Sequence, residues 1–217
     1  MSRKIVYAGL ERCDFVYHLT NILSLVSGKI IVVDTSLSQD MFKSVCSDEY
    51  ADIYEWRNII FLRNVEDFWS SSELVDTDYV IEYVGMGDHE KVADFGDEEK
   101  MILCMPDYTR MGIEKAYETV ARENGNTIYI LRDYCTKKMT LKSLAIAFGI
   151  SKEDIAGFIP LNTQDITAYI SLTHNRHQNI KGLSDEMIDA ITFVSTKILG
   201  IDRNMAVKLV AKSKKIK

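Results

Sequence analysis

Short apolar runs rich in β-branched residues alternate along this chain with segments whose apolar positions recur at helical spacing. The apolar runs are typical of strands. Several are apolar on both faces, which favours a parallel sheet covered on both sides. The pattern predicts strands at residues 5–8, 30–33, 59–62, 79–84, 101–105 and 127–131, with an edge strand at 155–159.

Helical spacing first appears at Phe15, Leu19, Ile22, Leu23 and Val26, with Gly28 at the position of a C-terminal cap. The polar stretch before residue 59 is interpreted as mostly helical. Further helices are predicted at 109–124, 141–148, 163–172, 184–199 and 203–212.

This alternation of strands and helices with short connections predicts an α/β fold of three layers, a doubly wound, mostly parallel sheet flanked by helices. No internal repeat or shift in composition marks a boundary. We therefore expect one domain over residues 1–200, followed by a basic helix or tail over residues 201–217.

Charge is distributed unevenly along the 217 residues. The segment from Arg203 to Lys217 holds six basic residues and no acidic one; since the whole chain carries −6, residues 1–202 carry −12. An acidic body repels the phosphate backbone, so nucleic-acid binding is not expected outside the tail.

The compartment is inferred from what the sequence lacks. No apolar run reaches 18 residues, and the first residues do not resemble a signal peptide, so a cytoplasmic location is expected. The four cysteines occur singly, without the close pairs typical of zinc sites, so no metal site is predicted.

The turn after the first predicted strand is the usual ligand position in a doubly wound sheet. A phosphate site there needs several glycines, a lysine and a hydroxyl for magnesium. Residues 8–17, AGLERCDFVY, hold one glycine and no lysine, serine or threonine. Glu11 and Asp14 bring negative charge to the start of the helix, where we expect Asp14 to be the N-cap. Arg12 supplies a single cation.

In the order of its elements and in several short strings, the chain resembles the ParA/MinD family of P-loop ATPases over roughly residues 3–200. The family loop reads Lys-Gly-Gly-x-Gly-Lys-Thr-Thr and continues into Asn-Leu-Ala, which residues 21–23, NIL, resemble. Its second strand ends in Val-x-Asp-x-Asp, which residues 32–36, VVDTS, resemble. Residues 78–85 resemble the strand Asp-x-Ile-Ile-x-Asp-x-Pro, and residues 157–162 resemble the late strand that ends in Ile-Pro.

Matching the chain to the family residue by residue places Leu10 at the signature lysine, Phe15 at the phosphate lysine and Val16 at the magnesium hydroxyl. Asp34 is retained, whereas Tyr83 replaces the aspartate that supports the metal. Phosphoryl transfer depends on electrostatic positioning, so losing these groups together implies a pseudo-ATPase without catalytic residues or cofactor. The degenerate nucleotide-loop positions are Leu10, Arg12, Asp14, Phe15, Val16, Asp34 and Tyr83.

The resemblance implies a scaffold or regulator that works through protein partners, with a homodimer through the remnant nucleotide face. Such a protein could position or assemble a larger machine in partition, division-site placement, pilus assembly or secretion. Two alternatives stay open. One is an enzyme that binds a nucleotide or another anion through a non-standard loop, using Arg12 and Asp34; the other is a DNA-associated partner that uses the basic tail.

The tail adds one more expectation. On a helix, Met205, Ala206, Leu209 and Val210 form a small apolar strip. Family members that bind membranes use a basic amphipathic C-terminal helix, which implies peripheral contact with an anionic membrane surface. A last helix docked on the domain is the alternative. The basic residues in question are Lys208, Lys212, Lys214, Lys215 and Lys217.

Overall fold

The computed structural model describes residues 3–63, 76–85, 100–106, 109–123, 125–134, 140, 142, 145–146, 149–176 and 180–215. The strands are β1 Arg3–Gly9, β2 Ile30–Asp34, β3 Ile53–Trp56, β4 Ile59–Arg63, β5 Tyr79–Gly85, β6 Lys100–Met105, β7 Asn126–Tyr134 and β8 Ile155–Pro160. The α-helices are α1 Asp14–Leu23, α2 Asp40–Val45, α3 Arg110–Glu123, α4 Thr163–Asn175, α5 Asp185–Leu199 and α6 Arg203–Ser213.

All eight strands belong to one sheet in the order β3-β4-β2-β5-β1-β6-β7-β8. Every neighbouring pair is parallel except β3 and β4. The chain moves from β1 to β2 on one side and later returns to β6 on the other side, so the carboxyl end of β1 lies at a topological switch point. This is the position where open α/β sheets form ligand sites.

Helices cover both faces of the sheet, which confirms the predicted three-layer α/β architecture. The helices α1, α2, α4 and α5 contribute to the large core on one face, together with strand residues such as Ile5, Tyr7 and Ile81. On the other face α3 packs on β1 and β6. The charged pair Lys4 and Glu82 is buried there, 2.9 Å apart.

Helix α1 is buried along its whole length, from Asp14 to Leu23. It is sandwiched between the sheet and the C-terminal helices α5 and α6. The two later helices begin at side-chain caps: Ser184 accepts from the amide of Met187, and Asp202 accepts from the amide of Met205. A helix that is buried all round tolerates few polar side chains without partners.

Two elements differ from the sequence expectations, and a third prediction lies mostly outside the described residues. The stretch before residue 59 is helical only in α2, because Ile53–Trp56 pairs with β4 through a two-residue turn in which Arg57 has φ 60°. Helix α1 ends at Leu23, and Gly28 lies beyond the turns that follow. The predicted helix at 141–148 falls mostly outside the described residues.

Helix α6 is docked on the domain. Its Ala206 and Val210 are buried, and it packs against α5 and α1. Lys208, Lys212 and Lys215 are exposed, whereas Lys217 lies outside the described residues. Within the described part of the chain, none of the helices has the length and apolarity needed to cross a membrane.

Candidate functional site at the carboxyl end of β1

The loop between β1 and α1 begins at a glycine that no other residue could replace without distortion. Gly9 has φ 113°, and a Cβ there would lie 2.0 Å from the carbonyl oxygen of Met105. The next amide, Leu10, donates to that same carbonyl at 2.7 Å. The first half of the loop is therefore tied to the end of β6, with the backbones too close for a side chain.

Carboxylates occupy the start of α1. Cys13 is the N-cap, and its side chain makes no capping hydrogen bond to the helix, so the prediction that Asp14 caps this helix is wrong. The amide of Cys13 instead donates to Asp40 Oδ2 at 3.1 Å, and the amide of Phe15 donates to Asp14 Oδ1 at 3.1 Å. These N–H groups lie at the positive end of the helix dipole, the usual position for a bound anion.

Asp14 is held in a buried bidentate ion pair with Arg132 of β7. Nη1 and Nη2 of Arg132 each lie 2.6 Å from a carboxylate oxygen, and both side chains are fully buried. Burial by itself would raise the pKa of Asp14, but the charges of Arg132 and Arg12 outweigh it and hold that pKa below its ordinary value. Asp14 is therefore an anion built into the protein at the start of α1.

Arg12 belongs to the same charge cluster. Its Nη1 donates to Asp133 Oδ2 at 3.1 Å, and its Nη2 lies 3.6 Å from Asp14 Oδ2. Its guanidinium also stacks 4.3 Å from the centre of the Tyr169 ring. The only cation of the loop is thus directed at carboxylates and an aromatic ring of its own chain.

Asp34, at the end of β2, acts as a structural acceptor. Its Oδ1 accepts from the amide and hydroxyl of Ser36 at 3.1 and 2.6 Å, and its Oδ2 accepts from the amide of Phe42 at 2.9 Å. These bonds hold the first turn of α2. Burial raises the pKa of Asp34 to about 7, although the hydrogen bonds from Ser36 and Phe42 act in the opposite direction.

Asp40 connects α2 to the rest of the cluster. Besides the amide of Cys13, its carboxylate accepts from the hydroxyl of Tyr169 at 3.5 Å. Burial raises the pKa of Asp40, which the hydrogen bonds it accepts partly oppose. Residues of β2, α2, α1 and α4 are therefore linked through Asp34 and Asp40.

Tyr83 lies directly beside Asp34 and Tyr7 in the sheet. Its ring stacks on that of Tyr7, with centroids 4.9 Å apart and planes 10° from parallel. Tyr7 donates to the carbonyl of Leu10 at 2.7 Å. The hydroxyl of Tyr83 is buried, and no group within the described residues meets the full geometry of a hydrogen bond to it, although it lies close enough to the Asp40 carboxylate to lower the pKa of that group. Burial raises the pKa of Tyr83 well above its ordinary value.

Phe15 and Val16 complete the set of predicted positions. Both are fully buried and belong to the main hydrophobic core. Their side chains fill the interior behind the loop. The loop therefore brings together Leu10, Arg12 and Asp14, with Asp34 and Tyr83 nearby, whereas Phe15 and Val16 serve packing.

Sequence reasoning missed four members of the cluster: Asp40, Arg132, Asp133 and Tyr169. Arg132 was detectable, because it interrupts the apolar run IYIL of β7, and a charged residue in a buried strand needs a charged partner. Asp133, with φ 61°, follows it. Asp40 and Tyr169 gave no signal, since exposed helices commonly carry both residue types.

The donors of this site do not match those that hold a magnesium triphosphate. Two carboxylates lie at the start of α1, and the loop offers neither a lysine nor a serine or threonine hydroxyl. Among the described residues no group of three histidine, cysteine, aspartate or glutamate side chains is arranged to hold a metal ion.

Comparison with known proteins identifies the fold. No family model and no curated protein matches the sequence significantly. Solved structures do match. The MinD cell division protein of Aquifex aeolicus is 11% identical, with a TM-score of 0.61 over 93% of this chain and 98% of that one. A chain of the MinC:MinD cell division protein complex of the same organism matches with a TM-score of 0.63, again at 11% identity, over 93% of this chain and 97% of that one.

A ParA family ATPase from Chlorobium tepidum TLS also matches, at 11% identity and a TM-score of 0.51 over the full length of both chains. Identities this low establish the fold and not the activity. The resemblance in element order is thereby confirmed at the level of structure: this chain has the ParA/MinD-like P-loop fold.

Proposed function

We propose that this chain is a non-catalytic, ATPase-like protein that acts through contacts with other proteins, in the positioning or assembly of a larger machine. The fold is shared with partition and cell-division ATPases, and the matched MinD structure from Aquifex aeolicus was solved in complex with MinC. A fold alone does not assign a function. The proposal therefore depends on the chemistry at the start of α1.

One observation carries it: the anion position at the start of α1 is taken by carboxylates of the chain itself. Asp40 accepts from the amide of Cys13, and Asp14 accepts from the amide of Phe15 while Arg132 neutralises it. A triphosphate placed there would meet two carboxylates instead of free amides and a lysine. Like charges at about 4 Å repel by about 4 kcal/mol at an effective dielectric constant of 20.

The carboxyl edge of the sheet is the surface that we expect partners to use. In active relatives this face binds nucleotide and forms the dimer, and here the loop is held in one arrangement by internal ion pairs. Two leucines, Leu37 after β2 and Leu161 after β8, are exposed along this edge. A homodimer through this face would form without nucleotide, because the internal ion pairs already hold the loop in one conformation, as a bound ligand would otherwise do.

The test of the non-catalytic function is a binding measurement with Mg-ATP. Calorimetric titration and thermal unfolding in 5 mM Mg-ATP are expected to show neither heat nor a shift of the melting temperature. A ligand present at 100 times its dissociation constant would stabilise the fold by about 2.7 kcal/mol, which shifts the melting temperature by several degrees. Saturable binding of Mg-ATP that is abolished by Arg12→Leu or Arg12→Ala would instead support the alternative of an enzyme that binds an anion through a non-standard loop.

Partner binding needs its own readout. Sedimentation equilibrium without nucleotide is expected to show a dimer, and Leu37→Asp is expected to weaken it by placing charge in an apolar contact. The matched control is Leu161→Asp at the other end of the same edge, which reports whether the contact extends across the sheet. A chain that stays monomeric at high concentration argues against the homodimer.

DNA association through the tail has less support. The exposed basic positions Lys208 and Lys212 lie on α6, and the exposed Lys215 lies just beyond its end. Together they form a narrow stripe. Such a stripe contacts few phosphates, so the salt dependence of any DNA binding would be shallow. A mobility shift at low salt that disappears in the Lys→Gln variants would favour this alternative.

A further inference from the structure

A cavity of about 210 Å³ lies away from the site described above, at the opposite, amino-terminal edge of the sheet. It lies between the first residues of β1, β5, β6 and β7 and the last turn of α5. Its residues include Arg3, Ile5, Tyr79, Met101, Lys197 and Ile198.

Apolar side chains form the floor of this cavity, and cationic side chains lie around them. Ile5 and Ile198 are buried, Tyr79 is nearly so, and Met101 is half-buried. Ile5, Tyr79 and Met101 come from neighbouring strands and share one face of the sheet, since Ile5 is in register with Met101 and Arg3 with Tyr79. An apolar floor of this kind favours the hydrocarbon part of a ligand.

Two cations, Arg3 and Lys197, lie at its mouth and have no carboxylate partner among the described residues. Within the described part of the chain, Arg3 makes one side-chain hydrogen bond, from Nη1 to the carbonyl of Ile198 at 2.8 Å, and Lys197 contacts only the Phe193 ring, at 5.3 Å. The remaining donors of Arg3 are available to a ligand.

The other two cations that line the cavity are paired with carboxylates. Lys4 pairs with Glu82 at 2.9 Å, and Lys100 pairs with Glu123 at 3.0 Å. The C-terminal end of α5 carries partial negative charge. Two hydrogen bonds to carbonyls of that last turn offset this partial charge. Arg3 donates to the carbonyl of Ile198, and the amide of Gly200 donates to the carbonyl of Thr196. Among the described residues that line the cavity, Arg3 and Lys197 are thus the two cations without a carboxylate in an ion pair.

We propose that this cavity binds a small monocarboxylate, with its apolar chain between Ile5, Met101 and Ile198 and its carboxylate between Arg3 and Lys197. The guanidinium fork of arginine matches the geometry of a carboxylate. The volume is below the range of about 300–1,000 Å³ that is typical of drug-sized ligands, which restricts the occupant to a short molecule. The site is independent of the nucleotide face and of the proposed function.

Hexanoate is a suitable probe, and 1-hexanol is the neutral molecule of matched size. Titration of the ¹⁵N-labelled chain with hexanoate is expected to shift the amide signals of Met101, Asn126 and Gly200 in a saturable way. Hexanol is expected to shift the same signals with clearly weaker affinity, because it lacks the charge.

Variants separate recognition from non-specific contact. Arg3→Gln and Lys197→Gln are each expected to weaken hexanoate binding by about two- to fivefold, the range of exposed ion pairs. Arg203→Gln, which removes the same charge from an exposed site paired with Asp189, is expected to leave it unchanged. The proposal is overturned if hexanoate leaves these amides unshifted, if hexanol binds equally well, or if Arg203→Gln weakens binding as much as Arg3→Gln.

Discussion

Arg132 of β7 forms a buried, bidentate ion pair with Asp14, the first residue of α1, at two N–O distances of 2.6 Å. The two residues are 118 positions apart in the sequence. The pair fixes the start of α1 to β7, a strand that lies two positions from β1 in the sheet.

Removing one partner of this pair is expected to destabilise the fold strongly. Asp14→Leu leaves the Arg132 guanidinium buried without its carboxylate, and breaking a buried ion pair in this way costs about 3–5 kcal/mol. The free energy of unfolding, measured by urea denaturation, reports the loss. The control is Asp189→Leu, which breaks the exposed pair with Arg203 and is expected to change stability by less than about 1 kcal/mol.

Replacing both partners distinguishes the ion pair from the volume that it fills. Asp14→Leu with Arg132→Met is expected to recover a large part of the loss, because an apolar pair of similar size needs no desolvation of charge. A double variant that is as unstable as the sum of the two single ones would show that the charges do not interact, contrary to the geometry.

The fold could be predicted from the sequence further than the site could. Strand positions came from apolar runs, and the parallel order came from alternation with helices, because both depend on short-range patterns. The pairing of Asp14 with Arg132 depends on the register of β7 against a loop more than 100 residues away, which a single sequence does not encode locally. Ile53–Trp56 was interpreted as helical for a related reason: a short edge strand of alternating exposure has too few residues to be distinguished from a polar helix by its pattern.

Restoring the family lysine is expected to fail. Phe15 is fully buried in the main core, so Phe15→Lys places an unpaired charge among apolar side chains and removes their contacts. We expect a loss of at least about 3 kcal/mol and no gain of Mg-ATP binding. Phe15→Leu, which keeps the site apolar, is expected to cost about 1.5 kcal/mol or less.

The outcome of Phe15→Lys also tests the alignment of the loop. A variant that folds normally and binds Mg-ATP would mean that position 15 faces the nucleotide and that the pseudo-ATPase proposal is wrong. Circular dichroism and the same calorimetric titration separate the two results, since the first reports folding and the second reports binding.

Asp34 is expected to make stability depend on pH in the direction opposite to that of an ordinary ion-paired aspartate. Burial raises its pKa to about 7, so the folded chain retains a proton that an unfolded aspartate, with a pKa near 3.8, has released. The associated stability is present below about pH 4 and is lost as pH rises towards 7. Its slope is at most about 1.4 kcal/mol per pH unit.

The comparison with Asp34→Asn isolates this group. Other buried residues also titrate: the pKa of Asp40 is raised, and that of His18 is lowered to about 4, which makes stability fall as pH drops from 6.5 to 4. Because Asn stays neutral at every pH, the stability of the variant should lack the Asp34 contribution to the decline between pH 5 and pH 7. The contributions of Asp40 and His18 should remain. Asp48→Asn, at an exposed position, is the control and should follow the parent chain.

We expect α6 to make peripheral contact with anionic membranes through its exposed side. Ala206 and Val210 are buried against the domain, so deleting residues 203–217 would uncover the core and confuse unfolding with loss of binding. The exposed side of the helix carries Lys208 and Lys212, and the exposed Met205 lies about one turn before Lys208. Each basic residue near an anionic surface contributes about 1 kcal/mol.

The test is therefore sedimentation with vesicles that contain phosphatidylserine, measured for the double variant Lys208→Gln/Lys212→Gln. The control is the double variant Lys142→Gln/Lys181→Gln, which removes the same charge elsewhere on the surface. The first pair is expected to lower the bound fraction and to flatten its dependence on salt, because both effects follow from screened attraction to the lipid. Equal sedimentation of the two double variants would assign α6 a structural role alone, since its apolar residues would then serve only the contact with α1 and α5.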